Sequence, residues 1–124
     1  MLRKQNGFTL IEIIAVLVIL GILAAVAVPK YINMQDQARQ NAAQLAIAEV
    51  KARASQYYAS GLLSNGIAPA PASVLASVTT APDLGVDFGV TAGPVTASDI
   101  PISVGTVRGV ALTAAVTGTW IYPQ

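Results

Sequence analysis

The sequence has 124 residues, a formal net charge of +1, and 54% apolar but only 10% charged residues. This length allows one domain at most, and the low charge content indicates a membrane or a tightly packed assembly. The absence of cysteine and histidine excludes disulfides, thiolate nucleophiles, the usual zinc sites and imidazole catalysis, so neither an enzyme nor a cofactor is expected.

The chain begins with a short basic segment followed by a long apolar stretch. Arg3 and Lys4 precede Leu10–Val28, which has 19 residues and one charge, Glu12. Its thirteen Leu, Ile and Val residues contribute about −4 to −8 kcal/mol to membrane insertion, which outweighs one carboxylate. The length suits a bilayer and exceeds a signal-peptide core. The two basic residues predict a cytoplasmic N-terminus.

Glu12 is a functional candidate because acidic residues inside membrane spans are rare and usually have a function. If the chain is cut after Gly7, Phe8 carries a free α-amine one helical turn before Glu12. The amine of a neighbouring subunit could then pair with Glu12 and set the register between subunits. Alternatively, Glu12 complements the positive end of its own helix or reaches the lipid headgroups.

The segment resembles the cleavage signature of type IV pilins and pseudopilins. It reads Arg-Lys-Gln-Asn-Gly, then Phe-Thr-Leu-Ile-Glu, then a span ending in Val-Pro-Lys-Tyr, and the likeness fades after residue 35. The resemblance implies cleavage between Gly7 and Phe8 by a membrane-embedded prepilin peptidase, and N-methylation of Phe8. It further implies polymerisation into a helical fibre, with Glu12 guiding docking. The implied partners are further copies of the chain, an inner-membrane assembly platform and its ATPase.

Two residues weaken the predicted helix within the span. Pro29 removes one backbone hydrogen bond, so a kink is expected. Gly21 costs about 1 kcal/mol relative to alanine. The resemblance implies that Gly21–Pro29 loses helicity when the fibre assembles. The alternative is a tolerated kink with a close-packing glycine.

The next segment, 30–60, is predicted to continue the helix outside the membrane. It is rich in good helix formers and has no glycine or proline between Tyr31 and Ser60. Gly61 is a plausible residue just after the helix end. Apolar residues recur at helical spacing and predict a stripe covered by the rest of the chain: Ala43, Ile47, Val50, Ala54, Tyr57 and Tyr58.

The C-terminal part is predicted to form a small β head. Leu62–Asp99 contains four prolines and reads as a long loop, with a short strand hidden around Val86–Val90 or else a low-complexity linker. Alternating residues then predict an antiparallel meander of three strands on the helix stripe. Its strands are Ile100–Val104, Val110–Val116 and Thr119–Tyr122.

The predicted fold class is therefore α+β, a long N-terminal helix with a small antiparallel sheet packed on its second half. The expected segments are a cleaved leader at 1–7, a membrane and polymerisation half at 8–29, an exposed helical half at 30–60 and the head at 61–124.

Other chemistry has weaker support. Asp83, Asp87 and Asp99 could gather on a calcium ion, but their spacing fits solvated loop acids better, so no metal is expected. Tyr57 and Tyr58 could belong to an electron-transfer ladder, although a role in the helix–head contact is favoured. The cations Arg39, Lys51, Arg53 and Arg108 are spread out, so nucleic-acid binding is not expected.

The sequence thus predicts a structural pilin subunit that resides in the inner membrane as a precursor and then in an extracellular pilus fibre. Adhesion and motility are the roles that the resemblance suggests. The alternative within the resemblance is the major pseudopilin of a type II secretion system, in a periplasmic pseudopilus. A second alternative is a bitopic membrane protein whose leader is never cut.

Overall fold

The computed structural model describes residues 7–80, 87–96 and 99–123. The chain divides into two units, residues 1–35 and 36–124, and each is described by itself. One α-helix, α1, extends from Leu10 to Asn65 and includes Pro29. The first unit thus contributes the apolar beginning of α1, and the second contains the rest of α1 and the head.

The end of α1 differs from the expectation of a helix that stops at Ser60. The helix continues to Asn65, and Gly66 is the residue that ends it, with φ 65° and its N–H donating to the Leu62 carbonyl at 3.0 Å. This left-handed conformation favours glycine. Gly61 lies inside the helix, where a Cβ would come within 2.2 Å of Pro69 Cγ. Close packing therefore accounts for Gly61.

A second helix, α2, extends from Pro71 to Thr80, within the tract predicted as a long loop. Proline suits the first position of a helix because its missing N–H has no intrahelical partner there. The Ala70 carbonyl accepts from the N–H groups of Ser73 at 2.9 Å and Val74 at 3.2 Å. Val74 is fully buried, so α2 contributes to the core.

The head contains one antiparallel sheet of three strands in the order β1-β2-β3. The strands are β1, Phe88–Ala92; β2, Asp99–Val107; and β3, Val110–Ile121. The α+β class and the antiparallel meander are confirmed, and β1 lies close to the strand expected around Val86–Val90. However, the runs predicted as the second and third strands form one strand, β3. The turn between β2 and β3 consists of Arg108 and Gly109, with φ 54° and 73°.

The core of the second unit lies between α1, α2 and one face of the sheet. Gly118 of β3 lets α1 approach the sheet closely, because a Cβ at Gly118 would lie 2.6 Å from Ile47 Cγ2. The predicted packing of the head on the second half of the helix is thus confirmed. The buried residues are Ala43, Ala46, Ile47, Val50 and Ala54 of α1, Val74 of α2, and Ile100, Ile102, Val104, Val107 and Trp120 of the sheet.

Candidate assembly site at the N-terminal segment

Thr9 and Glu12 cap the beginning of α1 reciprocally. Glu12 Oε2 accepts from the Thr9 backbone N–H at 2.8 Å and from Thr9 Oγ1 at 2.7 Å. In return, the Glu12 N–H lies 3.4 Å from Thr9 Oγ1 and 3.2 Å from the Thr9 carbonyl. This is a capping box, in which a threonine and the glutamate three residues later satisfy each other's backbone donors.

The cap gives the Glu12 carboxylate a partner within its own chain. A carboxylate in a membrane is costly unless donors surround it, and two donors of Thr9 converge on Oε2. No hydrogen bond reaches Oε1 from residues 7–80, 87–96 or 99–123. The geometry therefore agrees with the expectation that Glu12 complements its own helix, and it leaves Oε1 able to accept one further donor.

The surface around this cap is apolar and uncovered. Every residue from Gly7 to Gln35 is exposed, including Leu17, Ile22 and Val26, each more than 60% exposed. None of the most apolar part of α1 is buried. By length and composition, α1 can cross a membrane. Within its own unit this segment buries nothing, so its apolar surface needs lipid or protein neighbours.

Gly21 and Pro29, the two predicted weak points, both lie inside α1. A Cβ at Gly21 would meet no atom within 4 Å, so close packing inside the chain does not explain this glycine. The expected loss of helicity concerns the assembled fibre and stays a prediction.

The other candidate residues are dispersed. Arg3, Lys4 and Asp83 lie outside the described residues. Asp87 precedes β1 and Asp99 begins β2. Within the described ranges no group of three or more acidic side chains converges, and calcium binding through Asp83, Asp87 and Asp99 remains a weak hypothesis.

The aromatic residues form a cluster that fastens the end of β3 to α1. The rings of Tyr58, Trp120 and Tyr122 contact one another edge to face, with centroids 5.2 to 6.3 Å apart. Trp120 Nε1 donates to Ser55 Oγ at 2.9 Å, and Tyr122 OH donates to the Pro69 carbonyl at 2.7 Å. Tyr58 therefore lies in the helix–head contact as expected, whereas Tyr57 is 41% exposed.

Two of the scattered cations are paired within α1. Arg39 contacts Asp36 at 3.0 Å, and Arg53 contacts Glu49 at 2.9 Å, one turn apart along the helix. Such exposed pairs contribute about 0 to 1 kcal/mol each. They fit a solvated helical surface.

The capping role of Thr9 is not among the predictions made from the sequence. The pattern Thr-x-x-Glu before an apolar run is a sequence signature of a helix N-terminus. The same two residues, Thr9 and Glu12, also belong to the cleavage signature. Ser55, which receives the indole N–H of Trp120, has no comparable signature, because its role depends on contact with a residue 65 positions away.

Comparison with known proteins agrees with the N-terminal resemblance. Residues 2–28 match the family described as the prokaryotic N-terminal methylation motif. Over 55 residues the chain is 49% identical to the type II secretion system core protein G of Pseudomonas aeruginosa, covering 44% of this chain and 39% of that protein. Over 37 residues it is 54% identical to the type IV narrow pilus major component PilA5 of Thermus thermophilus, covering 30% and 32%.

A third relative extends into the head. Over 81 residues the chain is 36% identical to the type II secretion system core protein G of Vibrio cholerae, covering 65% of this chain and 53% of that protein. No solved structure matches significantly. The chain thus spans about a third to a half of the length of these relatives. The resemblance to type IV pilins and pseudopilins is confirmed.

Proposed function

We propose that this chain is a structural pilin subunit that polymerises through its N-terminal helix into a type IV pilus fibre. The observation that carries the proposal is the combination, in residues 7–35, of the methylation motif with an entirely exposed apolar helix. In the membrane, lipid covers this surface. Outside it, only parallel copies of the same helix offer equivalent apolar contact.

Processing at Gly7 and Phe8 begins assembly in this proposal. A prepilin peptidase cuts between these two residues, and Phe8 becomes the N-methylated first residue. The precursor is held in the inner membrane with the basic Arg3 and Lys4 on the cytoplasmic side. An assembly platform and its ATPase then transfer the mature subunit from the bilayer to the extracellular fibre.

Glu12 receives the new amine of Phe8 from a neighbouring copy. The intrachain cap holds the carboxylate by Oε2, and Oε1 accepts the incoming ammonium. Charge-assisted hydrogen bonds of this kind are stronger than neutral ones and depend on geometry. An axial shift of one subunit leaves the carboxylate without its partner, so the pair selects the register.

The first experiment measures the mature N-terminus and the fibre together. Mass spectrometry of the mature protein is expected to show a chain that begins at N-methylated Phe8, and electron microscopy is expected to show surface fibres that disappear when the gene is deleted. A mature chain that still begins at Met1 would reject the proposal in favour of an uncut bitopic protein.

The second candidate function is the major pseudopilin of a type II secretion system. The long match to a core protein G, which continues beyond the N-terminal helix, favours it. In that case the fibre is a short periplasmic pseudopilus. Deleting the gene then abolishes protein secretion while no surface fibre is lost, which separates the two functions directly.

The role of Glu12 is separated from simple capping by two variants. Glu12→Gln keeps an amide oxygen that can accept from Thr9, but it removes the charge that attracts an ammonium. Glu12→Val removes both. Both variants are expected to insert into the membrane and to form few or no fibres. If Glu12→Gln assembles normally while Glu12→Val does not, Glu12 acts only as a cap and the pairing proposal is wrong.

A further inference from the structure

An open groove lies beside the end of α1. Residues 57–65 of α1, the connection 66–70 and Ser73 of α2 enclose a space of about 610 Å³, which is the size of a small-molecule site. No charged residue lines this α1–α2 groove. Its lining consists of aliphatic, hydroxyl and amide groups and one aromatic ring, that of Tyr57. The groove therefore offers a neutral, hydrogen-bonding environment.

The wall formed by the connection 66–70 is held in place from several sides. Pro69 packs on Gly61, where a Cβ would lie 2.2 Å from Pro69 Cγ. The Pro69 carbonyl accepts from the Tyr122 hydroxyl at 2.7 Å, and the Gly66 N–H donates to the Leu62 carbonyl at 3.0 Å. A wall that is fixed in advance loses little conformational freedom when a ligand binds.

Three polar side chains in the groove have no side-chain hydrogen bond to the part of the chain that the structure describes. They are the Tyr57 hydroxyl, the Asn65 amide and the Ser73 hydroxyl, and each can both donate and accept. The hydroxyls of Ser60 and Ser64 donate to carbonyls of their own helix, so their lone pairs remain able to accept. The groove thus has free donors and acceptors and no net charge.

Tyr57 also borders a second, smaller space. Tyr57 and Ser60 line both, and the second space adds Gln56 and Ser77 around about 290 Å³. Its one charged lining residue, Arg53, is held in an ion pair. Tyr57 is 41% exposed, so part of its ring is available to a ligand. The negative face of an aromatic ring attracts groups with partially positive hydrogens.

We propose that the α1–α2 groove binds a neutral saccharide, whose ring stacks on Tyr57 and whose hydroxyls bond to Asn65 and Ser73. A sugar ring presents C–H groups on one face and hydroxyls that both donate and accept at its edge. An anionic ligand would find no cation in this lining. A purely apolar ligand would cover the polar groups without pairing them, which is costly. Of these three classes, the neutral saccharide matches the lining.

The experiment is saturation-transfer NMR on the full-length chain in dodecylphosphocholine, a detergent without a sugar headgroup. The probes are the methyl glycosides of glucose, galactose, mannose and N-acetylglucosamine, and micelles without protein are the blank. At least one glycoside is expected to bind with a Kd on the order of 1 mM, with the strongest transfer to its ring C–H protons. Binding of none would overturn the proposal, as would tighter binding of glucuronate than of methyl glucoside.

Substitutions locate the binding. Tyr57→Ala is expected to raise the Kd about five- to tenfold through the loss of stacking, and Asn65→Ala about two- to tenfold through the loss of a hydrogen bond. Tyr31→Ala is the matched control, because Tyr31 is also an exposed tyrosine of α1 and lies outside the groove. Equal effects of Tyr57→Ala and Tyr31→Ala, or an unchanged Kd for Asn65→Ala, would contradict the site.

A conservative variant separates stacking from a folding defect. Tyr57→Phe keeps the ring and is expected to stay within about threefold of the original Kd. Fluorescence of Trp120 checks that the head of each variant is folded. If Tyr57→Phe loses as much binding as Tyr57→Ala while both heads are folded, the ring does not stack on the ligand and the proposal is wrong.

These outcomes are independent of the proposed fibre. Subunits in detergent need neither cleavage nor polymerisation to bind a saccharide in the α1–α2 groove. Normal fibres from a chain that binds none of the glycosides would reject the saccharide site and leave the pilin proposal intact. Saccharide binding by a chain that makes no fibre would do the reverse.

Discussion

Ser55 is predicted to hold the end of the sheet on the helix, although the sequence gives it no evident importance. Its hydroxyl accepts the indole N–H of Trp120 at 2.9 Å, and Trp120 is only 5% exposed. Replacing Ser55 with alanine leaves this buried donor without a partner. The loss costs about 0.5 to 1.5 kcal/mol, the net value of an ordinary hydrogen bond, because this bond is part-buried and Ser55 itself is exposed.

The chain offers a matched control for helix propensity. Ser60 is also on α1, and its hydroxyl donates only to the Tyr57 carbonyl at 2.8 Å on the exposed surface. Serine to alanine within a helix gains up to about 0.5 kcal/mol at either position. This gain cancels when Ser55→Ala is compared with Ser60→Ala, so the difference in free energy of unfolding isolates the Trp120 hydrogen bond.

The assay uses the only tryptophan of the chain. Urea unfolding of the full-length protein in detergent, followed by Trp120 fluorescence, reports on the head. With a slope of about 1 to 2 kcal/mol per M urea, the Ser55→Ala midpoint is expected about 0.5 to 1 M below that of Ser60→Ala. Indistinguishable midpoints would show that water replaces Ser55 at no cost, and the fastening role would be refuted.

Two further substitutions test the head in the same assay. Gly118→Val is expected to destabilise the head by about 1 to 3 kcal/mol, because the new Cβ would lie 2.6 Å from Ile47 Cγ2. Gly105→Val is the control and is expected to be tolerated, because no atom lies within 4 Å of a Cβ at Gly105. Equal urea midpoints for the two variants would contradict the close approach of Gly118 to Ile47. Arg108→Asn is expected to raise the midpoint, by up to about 1 kcal/mol in stability, because Arg108 has φ 54° and asparagine accepts that conformation more readily. A lower midpoint would indicate that the arginine side chain makes a compensating contact.

The elements whose apolar residues follow a regular period were predictable from the sequence. The structure differs from the predictions mainly around glycine and proline residues. Alternation in Ile100–Val104 and helical spacing in Ala43–Ala54 both correspond to buried faces in the structure. Gly61 is predicted from the sequence to follow the helix end, and Gly118 falls between the strands predicted at Val110–Val116 and Thr119–Tyr122. Each instead permits a close contact, with Pro69 and Ile47 respectively. A single sequence does not show which tertiary neighbour requires a glycine.

Helix α2 lies in a segment that is predicted from the sequence to be a loop, and a proline is again the reason. Pro69 and Pro71 were interpreted as loop residues, yet Pro71 begins the helix, a position that proline favours. The motif match and the apolar helix at the N-terminus were predictable because their signals are local. The cut between Gly7 and Phe8 and the role of Glu12 stay predictions. The cap by Thr9 was equally local. Its residues are shared with the cleavage signature, so one short segment carries two signals.

The capping box also supports the proposal that a second copy pairs with the cut end. Cleavage after Gly7 would leave a positive amine on Phe8, immediately before the N-cap Thr9. The beginning of a helix already carries a partial positive charge, so an ammonium there is unfavourable. The Glu12 carboxylate of the same chain is turned toward Thr9 and is shared with its two donors. In the proposed fibre, a carboxylate from another subunit would approach the amine from outside the helix, and assembly would relieve a repulsion that the proposed cut creates.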